Sequence, residues 1–465
     1  MLHWSTFCYL YLYKVVIKIN ADNTLDILKQ KFSEDNIKQF YLEHNFSSAP
    51  GIDRINKRIF DRKLTQYVKS IHKKVLNETY KFSPYKESLI LKNREQLPRV
   101  ISIPTIRDKL TLRILRTLIQ DVFSPEVQHR MIQPIVEEIK QCISQYNYVI
   151  KLDIKDYYPS INHKILFAQI NKKIKSRKVL KLIRGAITTP TVLDKCKSKE
   201  CKKNKRGIPQ GLPISNILSS IYLIQMDKKF SQLNNLKYFR FVDDILILCR
   251  ADNYQQIKED ILNEIKSNYS LKVNAKKTEA HEITKEFSYL GYSFKGPIVS
   301  VREKSKRKLE NSLENLFIDY KNSGFKRTSF FLWKLNLRIT GCISDNKKYG
   351  WVFFFSQITQ LSILFHFDWI IKKLIKRFEL ETKLDGKKIK RFVRTYHEMI
   401  NNLNETGYIP NFDNFLLVDK EKFLKEMEVE LPEWNEVNIT HAFKCIVFSS
   451  VRELERDIQN LRDRY

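Results

Sequence analysis

Three carboxylates stand where acidic side chains can do chemistry. Asp243 and Asp244 are adjacent, with Tyr238-Phe239-Arg240-Phe241-Val242 before them and Ile245-Leu246-Ile247-Leu248-Cys249 after. Asp153 closes a separate apolar run, Tyr148-Val149-Ile150-Lys151-Leu152, and Ile154-Lys155-Asp156-Tyr157-Tyr158-Pro159-Ser160 follows it. Two neighbouring ionised carboxylates repel, so one pKa rises unless a cation lies between them. Hard carboxylate oxygens suit Mg2+. Two such ions roughly 3.5–4 Å apart lower the pKa of an attacking hydroxyl and hold a triphosphate in phosphoryl transfer. The plainer alternative for Asp243-Asp244 is a hairpin with Asp in its turn. For Asp153 it is a cap on the next helix, although Asp156 and Ser160 are better placed to cap.

Strands must position these groups. The aromatic and β-branched residues predict strand, tight turn and strand over 238–249, and a strand over 148–153 that fixes its terminal Asp. Arg206-Gly207-Ile208-Pro209-Gln210-Gly211-Leu212-Pro213 is dense in a chain with only 11 glycines. It predicts either a plain loop or a backbone that approaches a ligand closely, opening a helix over 215–229. Ser88–Lys92 and Arg99–Ile103 predict a hairpin whose cations Lys92, Arg94 and Arg99 are either solvated or folded over a polyphosphate. Helices are predicted over 58–76, 108–120 and 253–268. Beyond Val301 the pattern is almost wholly helical, best at 303–320, 327–340, 352–378, 387–404 and 438–463. Gly296-Pro297 is read as a domain boundary.

The net charge of +31 points to a polyanionic partner, with nucleic acid as the default. Lysine and arginine are dense over 172–184 and 195–206, flanking the site strand; such runs are either solvated faces or contacts for a nucleic-acid backbone. A basic membrane-surface protein is disfavoured, since no lipidation motif or apolar span of membrane length occurs. Seven scattered cysteines with no secretory signal read as reduced thiols in a cytoplasmic protein. Cys196 and Cys201 could form half a zinc site, but no second Cys/His pair lies beside them. The apolar N-terminus is interrupted by Lys14 and Lys18, and is read as a strand or helix docked on the body.

In this order and spacing, the chain resembles the bacterial reverse transcriptases over about residues 47–295. Ala49-Pro50-Gly51-Ile52-Asp53 is similar to the early motif of that family, and Arg99–Pro104 with Asp108-Lys109-Leu110 to its fingers motif. Asp153 with Tyr157-Tyr158 resembles motif A, and Pro209-Gln210-Gly211 to Ser215 resembles motif B. Phe241-Val242-Asp243-Asp244 is a variant of the Tyr-x-Asp-Asp box, with Phe241 replacing the usual Tyr. Asn274–Thr278 is similar to motif D, and Leu290-Gly291-Tyr292 to the primer grip. The chain is most like the unknown-group and abortive-infection class, which serves antiviral defence.

The resemblance implies an α+β right-hand polymerase fold with fingers, a ferredoxin-like palm and a helical thumb. The implied domains are an N-terminal extension at 1–46, fingers and palm at 47–295, and a helical thumb and C-terminal domain at 296–465. It further implies an RNA-directed DNA polymerase, untemplated or protein-primed synthesis being variants of the same chemistry. Asp153, Asp243 and Asp244, with the Ile154 carbonyl, would bind two Mg2+ ions, or Mn2+. Tyr158 would be a steric gate against the ribose 2′-hydroxyl, and Gln210 would contact the incoming nucleotide. Lys92, Arg94 and Arg99 would hold its phosphates, and Lys277 would protonate pyrophosphate. The implied partners are RNA template, DNA product and dNTPs, with a noncoding RNA and a partner protein as further candidates and no membrane. The rivals are a retron or group II intron enzyme and an RNA-binding protein that uses the fold as a scaffold. An RNA polymerase is opposed by Tyr158.

Overall fold

The structure is a computed structural model that describes residues 24–44, 46, 49–91, 97–127, 130–193, 202–250, 254–384 and 388–458. The N-terminal segment 1–19 and the pair Cys196 and Cys201 lie outside the described residues. Two compact units divide the rest. The first takes the residues up to 127 and from 149 to 280; the second takes those from 130 to 148 and from 281 onward.

In the first unit, β1 (Tyr85–Ile90) and β2 (Arg99–Ile103) pair antiparallel, with Ser88 opposite Ile101. The strand β3 (Tyr148–Asp153) belongs to the main sheet, whereas the short β4 (Thr191–Val192) lies parallel to β1. β5 (Leu236–Phe241) and β6 (Asp244–Cys249) form the expected hairpin, with Phe241 opposite Asp244. Together with β7 (Glu279–Glu282) they complete a four-stranded sheet in the order β5-β6-β3-β7. All six β6 residues are buried. A strand covered on both faces reads as an unbroken apolar run, not as alternation.

The helix Ile106–Phe123 forms much of this unit's core, burying Leu110, Ile114, Leu115 and Leu118 among others. It begins two residues before the expected start because Thr105 Oγ1 accepts the Asp108 N–H at 3.1 Å. The helix expected over 215–229 is two, Ser215–Tyr222 and Ile224–Ser231, broken at Leu223. The expected caps Asp156 and Ser160 are not used as such: Asp156 precedes the short helix Tyr157–Ser160 without a side-chain bond, and Asn162 caps the helix His163–Ile170.

The second unit opens with a meander of β8 (Phe287–Tyr289), β9 (Tyr292–Lys295) and β10 (Ile298–Val301). Gly296-Pro297 is the turn between β9 and β10, since Lys295 pairs with Ile298. Long helices follow, including Glu303–Asn322, Thr328–Thr340, Ser362–Arg377 and Glu436–Ile458. The almost wholly helical expectation misses one hairpin, β11 (Cys342–Ser344) with β12 (Lys347–Tyr349). Its turn is held from far away: the Asp413 carboxylate accepts the N–H groups of Asp345 and Asn346 at 2.7 and 2.8 Å. A second core gathers Phe412, Phe423, Leu424, Phe443 and Val447. No described helix is long and apolar enough to cross a membrane. The fold class is mixed α and β with a helical C-terminal region.

Candidate active site

Asp153 ends β3, and the Val242-Asp243 turn joins β5 to β6, the strand beside it. The two ends are stitched by the Ile154 N–H donating to the Asp243 carbonyl at 3.0 Å. The same strand exit is held from its other side, as Asn274 N–H donates to the Asp153 carbonyl at 2.8 Å and Ile154 bridges Val273. Asp153 and Asp244 are buried, at 5% and 8% exposure, and Asp243 is half-buried. Burying a carboxylate is costly unless it is paired or hydrogen-bonded.

Asp153 is paired with Lys277. The Lys277 Nζ donates to both carboxylate oxygens, at 2.9 and 3.0 Å. Among the described residues no three His, Cys, Asp or Glu side chains are arranged to hold a metal ion. The donor set nevertheless fits Mg2+ or Mn2+ in kind: hard carboxylate oxygens, carried to one sheet end by adjacent strands. Holding an ion there requires Asp153 to exchange its ammonium for the metal.

The turn itself is strained. Val242 has φ +55°, the left-handed region that a β-branched residue rarely adopts. Such a residue costs about 1–3 kcal/mol and persists where its surroundings fix it. Arg240 does the fixing. Its guanidinium donates to the Val242 carbonyl at 3.0 Å, and forms a bidentate pair with Asp227, whose Oδ1 lies 2.7 Å from Nε. Tyr238 adds a hydroxyl bond to Asp227 at 2.9 Å. Burial alone would depress the Arg240 pKa, but Asp227 drives it upward, so the cation is locked in place. Neither Arg240 nor Asp227 stands out in the sequence. An Arg flanked by Phe residues in a strand reads as its solvent-facing position, and its partner lies on the preceding helix.

Tyr158 follows Asp153 in the chain, on the short helix Tyr157–Ser160. Its ring is buried and its hydroxyl donates to Asn216 Oδ1 at 2.7 Å. Burial pushes the hydroxyl up to about 12; the Asp243 charge pushes the same way, while Arg99 and Arg240 oppose it. Asp243 and Arg99 therefore both lie within electrostatic reach of this ring. Tyr157 turns inward instead, donating to the Ser219 carbonyl at 2.6 Å.

The Gly/Pro turn is bound on two sides. Ile208 N–H reaches the Tyr158 carbonyl at 2.9 Å, and Gly207 N–H reaches that of Ile161 at 2.8 Å. The Gln210 carbonyl accepts the Ser102 N–H of β2 at 2.7 Å, while the Gln210 side chain is half-buried. Gly211, at φ +96°, lets β2 approach, for a Cβ there would lie 2.8 Å from Ile101 Cγ2. Backbone bonds thus tie the loop carrying Gln210 both to β2, which begins at Arg99, and to the segment of Tyr158. Lys92 and Arg94 lie outside the described residues. In the first basic run, Lys173, Lys178, Lys181 and Arg184 have partners within the unit: Glu126, the Leu76 carbonyl, Glu78 and the Phe167 ring.

Residues 90–294 match the family model of reverse transcriptase (RNA-dependent DNA polymerase). That stretch is a reverse transcriptase domain, and its class is that of an RNA-directed DNA polymerase. Protein YkfC of Escherichia coli is 21% identical over 294 residues, covering 52% of this chain and 75% of that protein. The group II intron-encoded protein LtrA of Lactococcus lactis is 28% identical over 174 residues, covering 36% of this chain but only 28% of LtrA. Among solved structures, the telomerase from Candida albicans, in complex with a fragment of telomeric RNA, aligns with a TM-score of 0.41 and 13% identity over 87% of this chain and 68% of that one.

Proposed function

We propose that this protein copies RNA into DNA by adding deoxynucleotides to a 3′-hydroxyl, and that it does so in bacterial defence against phage. The observation carrying the chemistry is the pairing of strand ends that sets Asp153 beside the Asp243-Asp244 turn, joined by the 3.0 Å bond from Ile154. Asp153, Asp243 and Asp244, with the Ile154 carbonyl, would hold Mg2+ or Mn2+, and the metal supplies activation of the hydroxyl and charge neutralisation at the triphosphate. The chain's own groups do the rest. Tyr158 presents a fixed ring to the sugar, Gln210 meets the incoming nucleotide, and Arg99 neutralises its phosphates. Lys277 delivers a proton to the departing pyrophosphate. Purified protein with a primed RNA template, dNTPs and Mg2+ should incorporate label. Equal incorporation by Asp243→Ala/Asp244→Ala would overturn the proposal.

The defence role draws support from the Phe-Val-Asp-Asp box and the helical unit after the domain. The likeness to LtrA favours a second reading, action on an intron or another retroelement. The two separate in cells: defence requires that the double aspartate variant lose phage protection, whereas a scaffold for RNA splicing keeps its function without the carboxylates.

A further inference from the structure

The helix Ser362–Arg377 buries Ile363, Leu364, Phe367, Ile371 and Leu374 against its own unit. Its opposite side is unusual. Phe365 is 62% exposed and Trp369, one turn later, is 53% exposed. At helical spacing Phe365, Trp369, Lys372, Lys373 and Lys376 fall on one strip about 100° wide and about 16 Å long. Lys373 Nζ stands 5.3 Å from the centre of the Trp369 ring. None of the three lysines forms an ion pair with a described residue, although the Asp368 carboxylate lies within electrostatic reach of Lys372. Asp368 accepts the N–H groups of Phe392 and Val393 at 2.7 and 3.3 Å. Glu310 bonds His366 at 2.9 Å, and Glu314 meets Arg377 at 3.6 Å, both beside the strip.

Single exposed aromatics are ordinary. Two in register, in a row of three exposed lysines on a chain of charge +31, form a surface for a flat, anionic partner. We propose that this strip binds single-stranded nucleic acid, Phe365 and Trp369 stacking on bases while Lys372, Lys373 and Lys376 take the phosphates. Duplex bases already stack on one another, so the rings select an unpaired strand. The use of such a strand by a polymerase rests on the reading above; the binding does not, and is measured without metal or nucleotide.

The experiment titrates the full chain with a fluorescent 20-nucleotide unstructured RNA, its DNA equivalent and a duplex of equal length. Phe365→Ala/Trp369→Ala should bind either single strand about 10-fold more weakly or worse, in line with the usual range for base–aromatic stacking, and bind duplex as the parent does. Lys372→Gln/Lys373→Gln/Lys376→Gln should flatten the dependence of log affinity on log salt by about 2, since each single-strand phosphate contributes about 0.7. Unchanged single-strand affinity in the ring variant, or an equal loss on duplex, overturns the proposal. So does a ring variant that loses only binding to phosphatidylserine vesicles, which would make the strip a membrane face. If the strip binds while no variant or parent incorporates nucleotide, the polymerase reading alone falls.

Discussion

The Nζ of Lys277 stands 2.9 and 3.0 Å from the two oxygens of the Asp153 carboxylate. Lys277 is about half exposed and Asp153 is buried, so the pair joins a partly solvated ammonium to an interior carboxylate. The lysine proposed to reach the leaving group and the carboxylate proposed to hold a metal are thus each other's partner. The proposed chemistry requires them to separate together.

That competition predicts the effect of removing the amine. Lys277→Met should bind Mn2+ several-fold more tightly than the parent, because the metal no longer displaces a charge from Asp153. Calorimetry without nucleic acid reads this directly. Turnover should fall about 100-fold, within the usual range for loss of a general acid. Weaker metal binding in the variant would show that Lys277 organises Asp153 and does not compete for it.

The Arg240–Asp227 pair sets the shape of the Asp243-Asp244 turn through the Val242 carbonyl. Arg240 is 8% exposed and Asp227 28%, so removing one partner strands a charge with little access to water. Arg240→Met should destabilise the protein by about 3 kcal/mol, visible as a lower midpoint in denaturant. Arg240→Met/Asp227→Leu should recover most of that stability but not incorporation, since the strained Val242 still lacks its tether. Full activity in the double variant would mean that the turn holds itself.

The strand ends were legible in the sequence because apolar runs with sharp limits leave little choice of register. The expected strand over 148–153 coincides with β3, and the hairpin over 238–249 differs from β5 and β6 only at its start. Contacts between distant side chains were not legible. Asp227 lies on a helix and Arg240 on a strand, and no local pattern pairs them. The same reason hid the β11–β12 hairpin, whose three-residue strands depend on Asp413 far along the chain. Leu223 likewise breaks a helix that its apolar neighbours promise to continue.

Two glycines of the Gly/Pro turn allow a graded test. A Cβ on Gly207, at φ +81°, would lie 2.8 Å from the Pro159 carbonyl oxygen and 2.9 Å from its Cα. On Gly211 the nearest atom is a side-chain methyl, Ile101 Cγ2, at 2.8 Å. Both substitutions strain the backbone, but a methyl can rotate away and a main chain cannot. Gly207→Ala should therefore lose more thermal stability than Gly211→Ala, and Gly211→Ala/Ile101→Leu, which removes the β-branch methyl Cγ2 at near-constant volume, should regain part of the smaller loss. Equal losses in the two single variants would place the cost in φ alone.

Tyr158 combines a packed ring with a fixed hydroxyl, and the two can be tested apart. The gate reading predicts that Tyr158→Ala accepts rNTPs about 10- to 100-fold better relative to dNTPs, the range for removing a steric contact in an apolar pocket. Tyr158→Phe keeps the ring and loses only the bond to Asn216, about 1 kcal/mol; its discrimination should stay close to that of the parent. The hydroxyl has a separate signature. Its folded pKa of about 12 lies above the usual 10, so the unfolded chain releases this proton first as pH rises. The stability it contributes is complete below pH 10 and lost as pH climbs toward 12. The parent should thus lose more stability than Tyr158→Phe across that window, read from denaturation midpoints. Parallel alkaline profiles would show that the hydroxyl titrates in the fold as it does in water, and the tight Asn216 bond would then need another explanation.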